Sequence, residues 1–259
     1  MKKIIIQGIP YDEKSSFQKG AAQAPPIIRE TLHNSDVLNL FTENGVTIDN
    51  PAIEDKGDFE ISDYFEIETI TRKHLEDDSK ILTLGGDHSI TFPILKAFHE
   101  KYPVLDVLDI DAHPDLYHEY KNDPFSYACP FARIMENGLA ARLVQVGIRT
   151  LNTHQAEQAE KFNVEIHQMK DLDLQRISRF ENPLYISLDM DGFDPAFAPG
   201  VSHQEPGGLS SREVIDLVQR IDAEVVGADI VEFNPNRDVQ NMTAYLAVKI
   251  MKEILGKLM

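Results

Sequence analysis

The chain has 259 residues, of which 42% are apolar, so it can build one sizeable core and lies at the upper end of what one core supports. Acidic side chains outnumber basic ones by 43 to 25, giving a formal net charge of −18, which argues against nucleic-acid and anionic-membrane partners. The single cysteine, Cys129, excludes an intrachain disulfide and a thiolate zinc cluster. We expect one domain over residues 1–259. We also expect a cytoplasmic location, because the sequence has neither a signal-peptide pattern nor an apolar run of membrane-spanning length.

Short apolar runs rich in β-branched residues recur along the chain, and they predict buried strands. These runs are Lys3–Gln7, Ile81–Leu84, Val104–Asp109, Leu143–Val146, Leu184–Leu188 and Val225–Val231, with weaker candidates at Val46–Ile48 and Val164–Ile166. Amphipathic stretches predict helices at Pro26–Leu32, Ile90–His99, Phe131–Asn137, Ser211–Ile221 and Ala244–Leu258. The acid-rich region Asn50–Asp63 predicts a surface connection. The alternation predicts an α/β fold with a mainly parallel, roughly eight-stranded sheet covered on both faces.

Acids and histidines cluster where four of these strands end. The segments are Leu84–Ser89 (LGGDHS), Asp109–Asp115 (DIDAHPD), Ser187–Pro195 (SLDMDGFDP) and Val231–Pro235 (VEFNP). In a parallel α/β sheet, ligands bind at the carboxyl ends of the strands. Taken singly, the first segment is more typical of a tight turn with a capping aspartate. Taken together, the four segments predict one site.

The second of these segments has the pattern of a metal site. Alternate residues of an extended chain project to the same side, so Asp111, His113 and Asp115 can converge on one point. Asp189 and Asp191 repeat this spacing in the third segment. Several carboxylates can be buried together only where cations neutralise them. An oxygen-rich ligand set with one imidazole per metal favours two Mn²⁺ ions over Zn²⁺ or Cu²⁺.

The four motifs also carry a family resemblance. They resemble the signatures of the ureohydrolases, the family of arginases, agmatinases, formiminoglutamases and guanidinobutyrases. The likeness extends to the segments 15–20, 24–29, 196–210 and 227–235, and the last two are closest to the plant-type arginase/agmatinase branch. The resemblance implies a three-layer α/β/α arginase-like fold in homo-trimers or homo-hexamers. It also implies hydrolysis of a guanidino substrate to an amine and urea by a hydroxide that bridges two metals, Mn²⁺ or ions such as Ni²⁺ or Co²⁺.

The same resemblance assigns roles to individual residues. It implies six metal ligands, which are His88, Asp111, His113, Asp115, Asp189 and Asp191. Asp111 and Asp189 would bridge the two metals, and Asp115 would also handle the proton of the nucleophile. Glu232 would pair with the guanidinium of the substrate. We interpret Asp87 and Asp109 as supporting or capping groups.

The pattern departs from the family at one position near the mouth of the site. Relatives usually carry a histidine in the segment that corresponds to Ser126–Arg133, where it is thought to move protons, and this chain has Tyr127. A phenol whose pKa is near 10 cannot carry protons by titration at pH 7. We expect an altered but working enzyme, with Tyr127 as a catalytic-site residue. The alternative is a metal-binding homologue with impaired catalysis.

The loop after Asp115 is expected to select the tail of the substrate. Residues 116–126 lack the Asn- and Ser/Thr-rich pattern of animal-type arginases, and with the net acidity this favours agmatine over arginine. Asn122 and Ser126 are candidate substrate contacts, and because they can donate hydrogen bonds to a carboxylate, arginine remains an alternative substrate. His203 is a further candidate, since it lies in a loop that contacts substrate in relatives. Formiminoglutamase and guanidinobutyrase activities remain alternatives on the same site.

Overall fold

A computed structural model describes residues 2–34, 39–76, 78–177 and 179–259. Within these ranges, eight strands form one sheet in the order β2-β1-β3-β8-β7-β4-β5-β6, and every neighbouring pair is parallel. The strands are β1 (Ile4–Gly8), β2 (Ile53–Asp58), β3 (Lys80–Leu84), β4 (Asp106–Ile110), β5 (Arg142–Ile148), β6 (Glu165–Gln168), β7 (Leu184–Asp189) and β8 (Val225–Val231).

Seven α-helices in the described part of the chain cover the sheet on both faces. They are α1 (Ala24–Leu32), α2 (Glu66–Leu75), α3 (Thr91–Lys101), α4 (Pro130–Glu136), α5 (Thr153–Phe162), α6 (Ser211–Arg220) and α7 (Met242–Leu258). Helices α1, α6 and α7 pack together on one face, and α2 to α5 pack on the other. This confirms the three-layer α/β/α architecture. Among the described helices, none combines the length and the apolar character that a membrane crossing needs.

The alternation of side chains along each strand divides the core into two layers. In β1, Ile4 and Ile6 pack in one apolar cluster and Ile5 packs in the other. In β3, Leu82 lies on the first face and Ile81 on the second. Because both faces are covered, the central strands are continuous apolar runs, which is why the sequence revealed them.

Two expectations about the N-terminal half were wrong. The run Val46–Ile48 is not a strand, and Thr47 makes only an isolated bridge to Phe41. The region Asn50–Asp63 was expected to be a connection but contains strand β2. This strand lies at the edge of the sheet, and its side chains are partly exposed. Backbone hydrogen bonds to β1 hold it in place, so its sequence needs no apolar pattern. The weaker candidate Val164–Ile166 corresponds to β6.

The sheet order brings the four polar motifs together. Strands β3, β8, β7 and β4 are consecutive neighbours at the centre of the sheet. All four are parallel, so their carboxyl ends meet at one edge, and each motif follows one of these ends.

Candidate metal centre

His88 lies in a short 3₁₀ turn directly after β3. Asp87 caps this turn, accepting a hydrogen bond from the Ser89 backbone N–H at 3.1 Å. The buried carboxylate of Asp87 also accepts from the Ser15 hydroxyl at 3.1 Å and thereby ties the N-terminal segment to the turn. Asp87 therefore has the capping position that was expected, and it fixes the backbone that carries His88.

The His88 ring faces three carboxylates. Its Nδ1 lies 3.2 Å from a carboxylate oxygen of each of Asp111, Asp115 and Asp189. These aspartates follow β4 and end β7, so two neighbouring strands supply them. One ligand atom each from His88, Asp111 and Asp115 lies within 4.8 Å of the others, as the donors of one metal ion must.

A second group of donors shares Asp111 with the first. His113 Nδ1 lies 3.1 Å from Asp191 Oδ2 and 3.5 Å from Asp111 Oδ1. Asp111, His113 and Asp191 also satisfy the 4.8 Å criterion for one ion. The two oxygens of Asp111 thus face different imidazoles, Oδ2 towards His88 and Oδ1 towards His113. This is the arrangement expected of a carboxylate that bridges two ions.

The donor atoms fit divalent cations. Among the described side chains, the buried atoms His88 Nδ1 and Asp111 Oδ2 have no hydrogen-bond partner, although they lie 3.2 Å apart. Four aspartates, Asp111, Asp115, Asp189 and Asp191, are buried here beside only two imidazoles. Desolvated carboxylates in such excess need added positive charge. Oxygen donors with one imidazole in each group suit hard or borderline divalent metals.

The pKa values report the same imbalance of charge. Burial opposes the charged ring of His88, yet the carboxylates of Asp111, Asp115 and Asp189 raise its pKa well above the usual value. Burial, and then repulsion from Asp111, raises the pKa of Asp115 to about 6. His88 and Asp115 thus both favour their protonated forms, as expected where buried negative charge is in excess.

Glu232 stands beside this cluster at the end of β8. Its side chain is buried, and its Oε1 accepts a hydrogen bond from the His88 backbone N–H at 2.9 Å. The residue has a positive φ of 63°, a conformation that is strained for a non-glycine residue and typical of functional positions. Burial, followed by repulsion from Asp87, raises the pKa of Glu232 well above its usual range. A cation bound beside Glu232 would offset both the burial of its carboxylate and the repulsion from Asp87, and would so favour the charged form.

A cavity of about 210 Å³ opens on the centre. Its lining residues are His113, Asp115, Tyr117, Tyr120, Tyr127, Ala128, Thr150, Gln155 and His203. Tyr127 was expected near the mouth and lines this cavity, and His203, a candidate substrate contact, lines it too. Ser126 is buried, its hydroxyl facing the Ala128 backbone N–H at 3.4 Å, and Asn122 is exposed. Neither of these two lines the cavity, and their contact with substrate stays a prediction.

Five residues of this lining were not named as site residues from the sequence, and they are Tyr117, Tyr120, Ala128, Thr150 and Gln155. Two of them lie in the loop after Asp115 that was expected to select the substrate. Thr150 follows β5, and the rule that ligands bind beyond the carboxyl ends of strands could have identified it. Gln155 lies on α5, for which the sequence gave no comparable signal.

Arg149 lies just beyond the end of β5 and contacts two segments near the centre. Its guanidinium donates to five backbone carbonyl oxygens, at distances of 2.6 to 3.2 Å, from Gly147, Asp191, Gly192, Phe193 and Glu205. It therefore joins the segment that carries Asp191 to the loop that carries His203. Main-chain carbonyls, rather than the acid of a substrate, thus satisfy this guanidinium.

The geometry agrees with the comparison to known proteins. The family model described as "Arginase family" matches residues 2–256. The chain belongs to the arginase family. It is 42% identical to arginase 1, mitochondrial, of Arabidopsis thaliana, over 98% of this chain and 80% of that protein. It is 36% identical to N(1)-aminopropylagmatine ureohydrolase of Thermus thermophilus, over 90% of this chain and 83% of that protein.

Solved structures support the same assignment. The arginase from Medicago truncatula superimposes with a TM-score of 0.94 at 39% identity, covering 99% of this chain and 87% of that chain. The chain is thus a ureohydrolase with the arginase-like fold, a hydrolase that acts on guanidino compounds. Enzymes of the arginase family depend on a binuclear metal centre, and the clustered His and Asp donors of this chain match that requirement.

Proposed function

We propose that this chain hydrolyses agmatine, or a guanidino compound with a similar uncharged or cationic tail, to an amine and urea. The observation that carries the proposal is the pair of donor groups that share Asp111, with the buried Glu232 beside them. The proposed ligands of one metal are His88, Asp111, Asp115 and Asp189. The proposed ligands of the other are Asp111, His113, Asp189 and Asp191. We further propose Mn²⁺ as the metal, a homo-trimer or homo-hexamer as the assembly, and the cytoplasm as the compartment.

Each proposed catalytic group acts through a stated atom. A bound pair of divalent metals supplies a water acidic enough to give hydroxide near neutral pH. Glu232 accepts from the His88 N–H through Oε1, so we assign its Oε2 to the guanidinium. The positive charge of the substrate then keeps Glu232 ionised and fixes the guanidinium carbon in place.

Proton transfer is assigned to Asp115. Hydroxide adds to the guanidinium carbon, and the C–N bond to the tail must then break. A neutral amine leaves only if its nitrogen gains a proton, and urea remains. Asp115 lines the cavity, so its carboxylate can take the proton that the added hydroxyl group loses and pass it to the departing nitrogen.

The mouth of the site supports a tail without a carboxylate. None of the described residues that line the cavity is a lysine or an arginine. Lys14 pairs with Asp123 at 2.9 Å and Lys121 donates to the Ser16 carbonyl at 3.3 Å, and neither of these lysines lines the cavity. Aromatic rings and the acid of Asp115 attract cations rather than anions.

Arginine is the second candidate, and the identity of about 41% to plant arginases favours it. Backbone amides and the hydroxyls of Thr150 and the tyrosines could bind an α-carboxylate without a cationic side chain. The candidates are distinguished by measuring urea release from agmatine, arginine and guanidinobutyrate with the Mn²⁺-loaded protein. Formiminoglutamate is tested separately through the release of formamide.

We expect the highest kcat/KM for agmatine. A higher kcat/KM for arginine would overturn the choice of tail but not the reaction. If none of these substrates yields product while two metals are bound, the alternative of an impaired homologue is correct. Glu232→Gln is the matched control, because it keeps the size and removes the charge that pairs with the guanidinium. It should reduce kcat/KM for every substrate.

A further inference from the structure

Six buried polar side chains form one row across the sheet beneath the proposed metal ligands. In order across β1, β3, β8, β7, β4 and β5 they are Gln7, Thr83, Asp229, Ser187, Asp109 and Gln145. Each is paired in register with the next and all six are fully buried, so all project to the same face of the sheet. Polar groups buried in a sheet face are costly unless they are hydrogen-bonded, which indicates a role beyond packing.

Asp229 is the central acceptor of this row. Its Oδ1 accepts from the Ser187 hydroxyl at 2.7 Å, and its Oδ2 accepts from the hydroxyls of Tyr185 at 2.8 Å and Thr91 at 2.9 Å. A carboxylate has enough lone pairs for three donors, and three donors stabilise its charged form. The single hydroxyl hydrogen of Ser187 is therefore directed at Asp229.

This direction determines what Ser187 does on its other side. The Nε2 of His88 lies 3.0 Å from the Ser187 oxygen. Since that oxygen donates to Asp229, it can only accept from the ring, and Nε2 must carry the hydrogen. Asp109 does not replace Ser187 in this contact, because its Oδ1 lies 3.9 Å from Nε2, beyond hydrogen-bond distance. The lone pair of the neutral ring is then on Nδ1, the atom that faces the carboxylate cluster.

We propose that Asp229 is a positioning residue that acts through the Ser187 hydroxyl. Together the two hold His88 in the tautomer with hydrogen on Nε2 and so present Nδ1 to a divalent metal. The proposal rests on His88 being a metal ligand, as in the proposed function, and is independent of the substrate. The hydrogen bond made by one ring nitrogen decides which nitrogen is free to bind metal, and loss of such a partner typically weakens metal binding about 10- to 100-fold.

The test uses three variants and a matched control. Ser187→Ala removes the acceptor of the Nε2–H, Asp229→Asn removes the charge that orients Ser187, and the double variant combines them. Tyr185→Phe is the control, because it removes one hydroxyl from Asp229 and leaves the Ser187 bond in place. Mn²⁺ affinity is measured by calorimetry on metal-stripped protein. The ring signals of His88 are measured by NMR in Zn²⁺-loaded, ¹⁵N-histidine-labelled protein and assigned through their loss in His88→Asn.

The wild-type protein should give an exchange-protected Nε2–H signal. Ser187→Ala and Asp229→Asn should each lose that protection and bind the Mn²⁺ ion that His88 holds about 10- to 100-fold more weakly, with Tyr185→Phe close to wild type. Because the two residues act in series, the double variant should be no weaker than the more impaired single variant.

Three results would overturn the proposal: an Nδ1–H signal in the wild type, unchanged Mn²⁺ affinity in Ser187→Ala, or losses that add in the double variant. A chain that binds two Mn²⁺ ions with the expected tautomer, but releases no urea, would contradict the proposed function alone.

Discussion

The phenolic oxygen of Tyr127 lies 3.5 Å from Nε2 of His203, and the two rings stack with their centroids 5.7 Å apart. The Ser16 hydroxyl lies 3.3 Å from the same phenolic oxygen. Burial, and after it the charge of Glu232, raises the pKa of Tyr127 further above its usual value, so the phenol stays neutral at physiological pH. Tyr127 can therefore hold His203 and shape the mouth, but it cannot carry a proton by ionising.

The first prediction concerns this tyrosine. Tyr127→His should raise kcat for urea release at pH 7 to 8, because an imidazole titrates in that range and proton transfer by a positioned side chain contributes about 10²- to 10⁴-fold in enzymes. KM should change less than kcat. Tyr127→Phe is the control for loss of the hydroxyl alone and should not raise kcat. Equal activity of Tyr127→His and wild type on every guanidino substrate would mean that this position does not limit proton transfer.

The second prediction concerns metal removal and pH. In the metal-free chain the carboxyls of Asp115 and Asp189 have raised pKa values, that of Asp115 at about 6, with burial as the main cause. Carboxyls whose pKa is raised by folding stabilise the fold below the unfolded pKa and lose this contribution as the pH rises through the folded pKa. The raised pKa values of His88 and His113 act in the same direction.

The unfolding temperature of the chelator-treated protein should therefore fall as the pH rises from about 5 to about 8. Asp111 has the opposite shift, a lowered pKa, so its contribution is lost only below about pH 4, outside this range. Added Mn²⁺ should raise the unfolding temperature more at pH 8 than at pH 5. Calorimetry with and without chelator measures both effects. A metal-free protein that becomes more stable towards pH 8 would contradict the assigned cluster.

Much of this centre could be predicted because polar residues follow apolar strands. His88, Asp111 and Asp189 each stand at or just beyond the end of a buried run, where the packed core gives no reason for a charge. The strand predictions themselves depended on continuous apolar segments, and β3, β4, β7 and β8 were confirmed within two residues at each end. The start of α6 also has a sequence signature, because Ser210 and Glu213 have the spacing of a capping box and form one in the structure.

The remaining features depend on register and on edges. Ser187 and Asp229 are single polar residues within apolar strands, and the sequence does not reveal that they are aligned, because alignment depends on how two distant strands pair. Strand β2 could not be predicted from its sequence, because an edge strand needs only backbone pairing and little apolar surface. The carbonyl contacts of Arg149 likewise involve segments more than 40 residues apart in the chain.

The third prediction concerns Arg149. Arg149→Lys keeps the charge but replaces a planar fork of five N–H donors by three donors on one atom, so several carbonyl contacts must be lost. We expect a loss of about 2–4 kcal/mol in the free energy of unfolding and weaker binding of the metal held by Asp191. Denaturant titration and metal calorimetry measure these effects.

Arg212→Lys is the matched control for Arg149→Lys. Arg212 pairs with Glu43 at 2.7 Å on the surface, and its side chain is 56% exposed. Such exposed pairs contribute about 0–1 kcal/mol, so this variant should be close to wild type in stability and metal binding. Equal effects of the two substitutions would mean that Arg149 is a surface charge rather than a link between the two loops.

The last prediction concerns the only thiol of the chain. Cys129 is fully buried just before α4, and burial, followed by the charge of Asp115, raises its pKa to about 12. Only the thiolate reacts with thiol reagents, so the native protein at pH 8 should react roughly 10³-fold more slowly than the same protein unfolded in denaturant, where the thiol recovers its ordinary pKa of about 8.5. Release of thionitrobenzoate from a disulfide reagent measures both rates. If the native protein reacts almost as fast as the unfolded protein, the mouth of the site must open far enough to expose Cys129. The packing around residues 126–130 would then not be closed in solution.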